Sequence, residues 1–136
     1  MAIELIARDD EPAFQMAGRA AAATLRNVGQ MIRAGMTTAD IDRLVRQHTA
    51  EQGGVPSQLG YHGFPAAVCT SVNDVVCHGI PSTKVVLQRG DIINVDVTTH
   101  LAGFHGDTSA TFVVGGKASA EAEHVPALWS QRESFV

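Results

Sequence analysis

Two β-type runs, Ile92-Ile93-Asn94-Val95-Asp96-Val97-Thr98 and Phe104 to Val114, flank a tight Leu101-Ala102-Gly103 turn, and each carries one aspartate in its interior. No other feature limits the fold as much. Strands this apolar need cover, and the content of the first run predicts that both of its faces are largely buried. With the turn centred on Leu101-Ala102, antiparallel pairing sets Asp96 directly opposite Asp107. Two neighbouring carboxylates among apolar side chains do not both stay ionised without compensation. A shared proton, a basic side chain or a bound divalent cation each meets that need. Arg89, the nearest base, belongs to the preceding Arg89-Gly90-Asp91 turn, which favours the cation; hard oxygen ligands near an imidazole suit Mn, Fe, Co or Zn. Periodicity alone leaves equally open a pair of edge aspartates that serve only loop amides.

What covers this hairpin is written upstream. Phe14, Ala17, Ala21, Leu25, Val28 and Ile32 draw one apolar stripe along a helix, with Asp10, Glu11 and Pro12 suited to its first turn and Gly35 to its end. Thr37-Thr38-Ala39-Asp40 resembles a capping box that opens a second helix, whose inner face is Ile41, Leu44, Val45 and His48 and whose stop is Gly53-Gly54. The texture then turns to β. Ala66 to Val72 and Val75 to His78, around Asn73-Asp74, predict a second hairpin that places Cys69 opposite His78. After Lys117 a third helix begins to form over residues 118–124, but Pro126 interrupts it and the remainder shows no clean period. The chain therefore divides into residues 1–120, a single α+β domain, and a divergent tail, 121–136.

Composition narrows the function classes. With 45% apolar and 18% charged residues the chain belongs with ordinary globular proteins. Its 14 acids and 10 bases, a net charge of -4, form no basic cluster, so no nucleic-acid partner is expected. No apolar run is long enough for a membrane span and the N-terminus lacks a signal-peptide pattern, so a cytoplasmic, membrane-free location is expected. Cys69 and Cys77 form no CxxC pair, and reduced thiols are the simplest reading.

Several side chains near the aspartates carry chemistry or mere packing. His78 ends a strand, a place from which side chains reach a site as well as solvent. Cys69 opposite His78 raises a cysteine nucleophile activated by imidazole; no third residue completes such a triad, and free cysteines commonly act as small buried hydrophobes. His62, within Tyr61-His62-Gly63-Phe64-Pro65, suits a ligand or a substrate-facing group, and equally a loop packing its aromatics. His105 shares the face of Asp107, two residues along the strand.

At these residues the sequence resembles a known family. The run Gly60 to Pro81, then Gly90-Asp-Ile-Ile-Asn-Val-Asp-Val97, then Gly103-Phe-His-Gly-Asp-Thr-Ser109 is similar to the N-terminal half of type I methionine aminopeptidases, of peptidase family M24. The resemblance covers residues 1 to about 120. It implies the pita-bread fold, whose two pseudosymmetric halves each pack helices on an antiparallel sheet around a dinuclear metal site; this chain is expected to form one half. By resemblance Asp96 binds one metal and Asp107 bridges both, the ions being Co, Mn, Fe or Zn. His78 contacts the substrate near the scissile amide. Tyr61, His62, Phe64 and Cys69 bind substrate around the methionine side chain, and the substrates are N-terminal Met peptides or nascent chains. In that mechanism the metals acidify a bridging water and a glutamate handles the proton. The family takes a histidine and two glutamates from its second half, and His124, Glu121, Glu123 and Glu133 match none of them. The chain is therefore expected to be truncated, to carry an incomplete metal site and to be inactive or nearly so, with the tail a foreign reading frame or truncation product. A non-catalytic binding or self-assembly module, including a homodimer through the uncovered half-fold surface, is the alternative; a cysteine hydrolase ranks last.

Overall fold

The computed structural model describes residues 5–119. Two helices, α1 (Glu11–Met31) and α2 (Thr38–Glu51), precede four strands: β1 (Val55–Pro56), β2 (Cys69–Val72), β3 (Ile92–Leu101) and β4 (Phe104–Val113). All pairings are antiparallel. β3 is the spine of the sheet: β4 runs along one edge for its full length, while β1 pairs near Thr99–His100 and β2 with Ile93 to Asp96 on the other. The two expected helices and the antiparallel sheet are thus present.

Local chemistry accounts for the helices. Pro12 stands in the first turn of α1, where a missing N–H is harmless. Its buried stripe contains Ala17, Ala21, Leu25 and Val28 as the spacing predicts, widened by Ala20 and Thr24; Phe14 stays half-exposed and meets Phe104 edge-to-face at 5.9 Å. The capping box of α2 forms as read, Asp40 N–H donating to Thr37 Oγ1 at 3.1 Å and Thr37 N–H to Asp40 Oδ2 at 2.7 Å. Ile41 and Val45 are fully buried, and Leu44 packs at the rim. His48 turns to the α1 interface, its Nδ1 3.0 Å from Thr24 Oγ1.

Burial alternates along β3. Ile93, Val95, Val97 and Thr99 are buried, and the intervening Asn94, Asp96, Thr98 and His100 are only partly so. The expectation that both faces of this strand are covered is therefore corrected: one face meets the core of Leu25, Val28, Ile41, Val45, Val68 and Leu87, and the polar face is left for a cleft. Gly106 permits the closest approach of helix to sheet, since a Cβ there would lie 2.2 Å from the carbonyl oxygen of Ala17.

Two register expectations are also corrected. Ala102 and Gly103 both have positive φ, 53° and 88°, the mark of a type I′ turn centred one residue later than read. Asp96 accordingly faces Ser109, and Asp107 faces Thr98. Moving a turn by one residue shifts pairing by two, so both aspartates stay on one face as diagonal neighbours. The second expected hairpin does not form. Cys69 pairs with Asp96 and not with His78, because Asn73 is captured by the start of β3: its Oδ1 accepts from Ile92 N–H at 3.1 Å and its Nδ2 donates to Asp91 at 3.0 Å. Residues 73–78 loop away, and the chain returns at Gly79, whose carbonyl accepts from Thr70 N–H at 2.8 Å. All of the tail, 121–136, and residues 120–124 of the expected third helix lie outside the described residues.

Candidate active site

The half-exposed face of β3 and β4, together with the Ser57–Pro65 loop and the end of the 73–80 loop, lines a cleft of about 850 Å³. Tyr61, His62, Phe64, Cys69, His78, Asp96 and Asp107, the seven residues singled out from sequence, all line it. Two loops and three strands bring them there. Residues 96 and 107 arrive from paired strands and Cys69 from the strand beside Asp96, while His62 and His78 hold left-handed backbone conformations, φ 47° and 53°. Such φ values are uncommon outside glycine and persist where surrounding structure enforces them. Gly79 is part of that enforcement at His78, because a Cβ there would sit 2.0 Å from Thr70 O.

The electrostatics centre on the aspartates. Burial, then the charge of Asp107, then a hydrogen bond with Asp107 hold the Asp96 carboxyl above its ordinary range, and His78 opposes this in part. Asp107 also accepts from Thr98 Oγ1 at 2.9 Å. Among the described residues no Lys or Arg lines the cleft, so His78 is the one basic side chain of that set that offsets the carboxylates. The donor set, two convergent carboxylates, fits a hard or borderline divalent cation. Among the described residues no group of three or more His, Cys, Asp or Glu is clustered for a metal, so any ion held here draws further ligands from elsewhere.

Burial, followed by the charge of Asp96, pushes the Cys69 thiol up to about 11. It is protonated at neutral pH, which disfavours the cysteine hydrolase. Sequence reading missed Gln58, Ser57, Thr98 and Ile80, which also line the cleft. Gln58 Nε2 donates to the Asp96 carbonyl at 2.9 Å and lies 3.8 Å from Cys69 Sγ, while its Oε1 is buried without a partner among the described residues. Ser57 Oγ lies 2.8 Å from His105 Nδ1. None of these carries a local pattern; only the folding back of the 57–65 loop makes them neighbours.

Known proteins share this arrangement of elements. The chain is 47% identical over 113 residues to methionine aminopeptidase A of Synechocystis sp., covering 83% of this chain and 45% of that one. The structure superimposes on a methionine aminopeptidase from Rickettsia prowazekii with a TM-score of 0.84 at 37% identity, covering 90% of this chain and 48% of that one. A methionine aminopeptidase from Thermotoga maritima gives 0.83 at 33%, covering 90% and 49%. The chain spans less than half the length of these relatives, and its helices and sheet correspond to half of their pita-bread fold. The model of metallopeptidase family M24 matches residues 13–132, and with that match the chain belongs to this family.

Proposed function

We propose that the cleft is the portion of a methionine aminopeptidase site that this polypeptide contributes. The observation that carries the reading is the gathering of all seven candidate residues around one pair of carboxylates beside which no Lys or Arg stands among the described residues. Asp96 and Asp107 would hold divalent ions, Co, Mn, Fe or Zn; such ions supply Lewis acidity, polarising a carbonyl and acidifying coordinated water. His78 donates a hydrogen bond near the scissile amide. Tyr61, Phe64 and the neutral Cys69 thiol receive the methionine side chain, where soft and aromatic surfaces favour a thioether, and His62 borders its entrance. Gln58 fixes the strand segment bearing Asp96. The substrates are N-terminal Met peptides or nascent chains, met in the cytoplasm.

Two protein carboxylates hold an ion less firmly than a complete ligand cage, so this chain alone binds Mn²⁺ weakly and turns over a Met-Ala-Ser peptide slowly or not at all. Calorimetric titration with Mn²⁺ tests the assignment: Asp96→Asn and Asp107→Asn should each abolish the isotherm, and unchanged binding in both would remove the metal role. Robust peptidase activity from this polypeptide would refute the incomplete site.

A second reading, a binding or self-assembling module, draws on the exposed apolar side chains of Val76, Tyr61 and Ile80, which are 92%, 68% and 57% exposed. Sedimentation with and without chelator separates the two: a metal-dependent homodimer supports assembly, and a monomer under both conditions excludes it.

A further inference from the structure

We propose that His100 and His105 form a divalent-cation site of their own, separate from the carboxylate pair and selective for ions that prefer imidazole, such as Zn²⁺. The two residues stand directly opposite each other in the β3–β4 ladder, with ring centroids 4.7 Å apart and planes inclined by 39°. Both lie on the cleft face, because residues 96, 98 and 100 alternate to one side of β3 and their partners follow on β4.

The surroundings are those of a prepared ligand pair. Ser57 Oγ lies 2.8 Å from His105 Nδ1; in the tautomer with its proton on Nδ1, this contact satisfies Nδ1 and leaves Nε2 bare for a metal. Ser57 is itself pinned, its N–H donating to Thr98 O at 2.9 Å. No described residue hydrogen-bonds the His100 ring, so both of its nitrogens are open to an ion or to water. Asp107, two residues from His105 on the same face, contributes a negative field without being required as a ligand. With no cluster of three ligating side chains among the described residues, water completes the shell, as suits a site of moderate affinity.

Ligand chemistry separates this site from its neighbour. Carboxylates accept Mn²⁺ readily, whereas imidazoles favour Zn²⁺, Ni²⁺ and Cu²⁺. An ion bridging His100 and His105 joins the ends of β3 and β4 and, through Ser57, the loop that carries Tyr61 and Phe64. It thereby fixes one wall of the cleft.

The test is a titration of the chain with zinc chloride, in a Cys77→Ser background because the exposed Cys77 thiol would also take zinc. Histidine ring resonances are followed by ¹H–¹⁵N NMR, with affinity from calorimetry. The rings of His100 and His105 should shift together at one equivalent. His100→Gln should weaken binding at least tenfold, and Ser57→Ala roughly tenfold, the effect typical of removing an outer hydrogen bond to a metal-binding histidine. The response should persist in Asp96→Asn/Asp107→Asn, so failure of the carboxylate reading leaves this result intact. Zinc that shifts only the His62 and His78 rings, or a His100→Gln protein that titrates like its parent, overturns the proposal. Should that variant fail to fold, the ring shifts of the parent decide.

Discussion

Replacing Gly106 with alanine should loosen the packing of helix on sheet that holds His105 and Asp107 in place. The added methyl would lie 2.2 Å from Ala17 O, 2.4 Å from Ala17 C and 2.6 Å from Gly18 N, whereas non-bonded heavy atoms settle at about 3.5 Å. All three atoms are helix backbone, so no side chain can rotate aside, and α1 must retreat by roughly 1 Å. Overpacking of this kind costs about 1–3 kcal/mol, and the rigid obstacle places Gly106→Ala near the top of that range. Removing a strand glycine returns about 0.5–1 kcal/mol of chain entropy, leaving a net loss of about 2 kcal/mol. For a domain of this size that lowers the melting temperature by roughly 6–10 °C. Gly18→Ala supplies the control: it is an exposed position in α1 with nothing within 4 Å of a Cβ, and should gain about 1 kcal/mol from helix propensity. Urea denaturation with an unchanged slope reads both. The argument fails if the two variants move in the same direction, or if Gly106→Ala matches the parent.

Three further outcomes follow from the geometry. Burial and Asp107 raise the folded-state pKa of Asp96, so its contribution to stability is complete below the ordinary carboxylate range and lost as pH rises through the raised value; in chelator, Asp96→Asn should raise the urea midpoint at pH 7.5 and flatten the decline, and a lowered midpoint contradicts this. With its thiol near 11, Cys69 is about 0.1% thiolate at pH 8 against roughly a quarter for an ordinary cysteine. In a Cys77→Ser background it should alkylate at least ~200-fold more slowly than a cysteine peptide, and a comparable rate would revive the nucleophile. Thr37→Ala removes the capping box of α2 and should destabilise by about 1 kcal/mol, with Thr37→Ser restoring most of it; equal midpoints for all three proteins would dismiss the cap.

Local interactions explain what could be read in advance. The stripe from Ala17 to Val28 and the Thr37–Asp40 box depend on residues a few positions apart, and there the sequence by itself determined the helices and the buried face of α1; along β3 it marked the strand, while the packed structure decided that only the face of Ile93, Val95, Val97 and Thr99 is buried. The sequence also determined that Asp96 and Asp107 share a side of the sheet, since a two-residue register shift cannot reverse the alternation. Tertiary structure alone decided the rest. Whether Ala102-Gly103 or Leu101-Ala102 occupied the turn rested on which residues could take positive φ within the closed ladder, and whether Cys69 paired with His78 or Asp96 rested on Asn73 binding a strand nearly twenty residues away. Gln58 beside Asp96 and Ser57 beside His105 are contacts across 38 and 48 residues, for which chain neighbours carry no signal because their energy exists only once the sheet has formed.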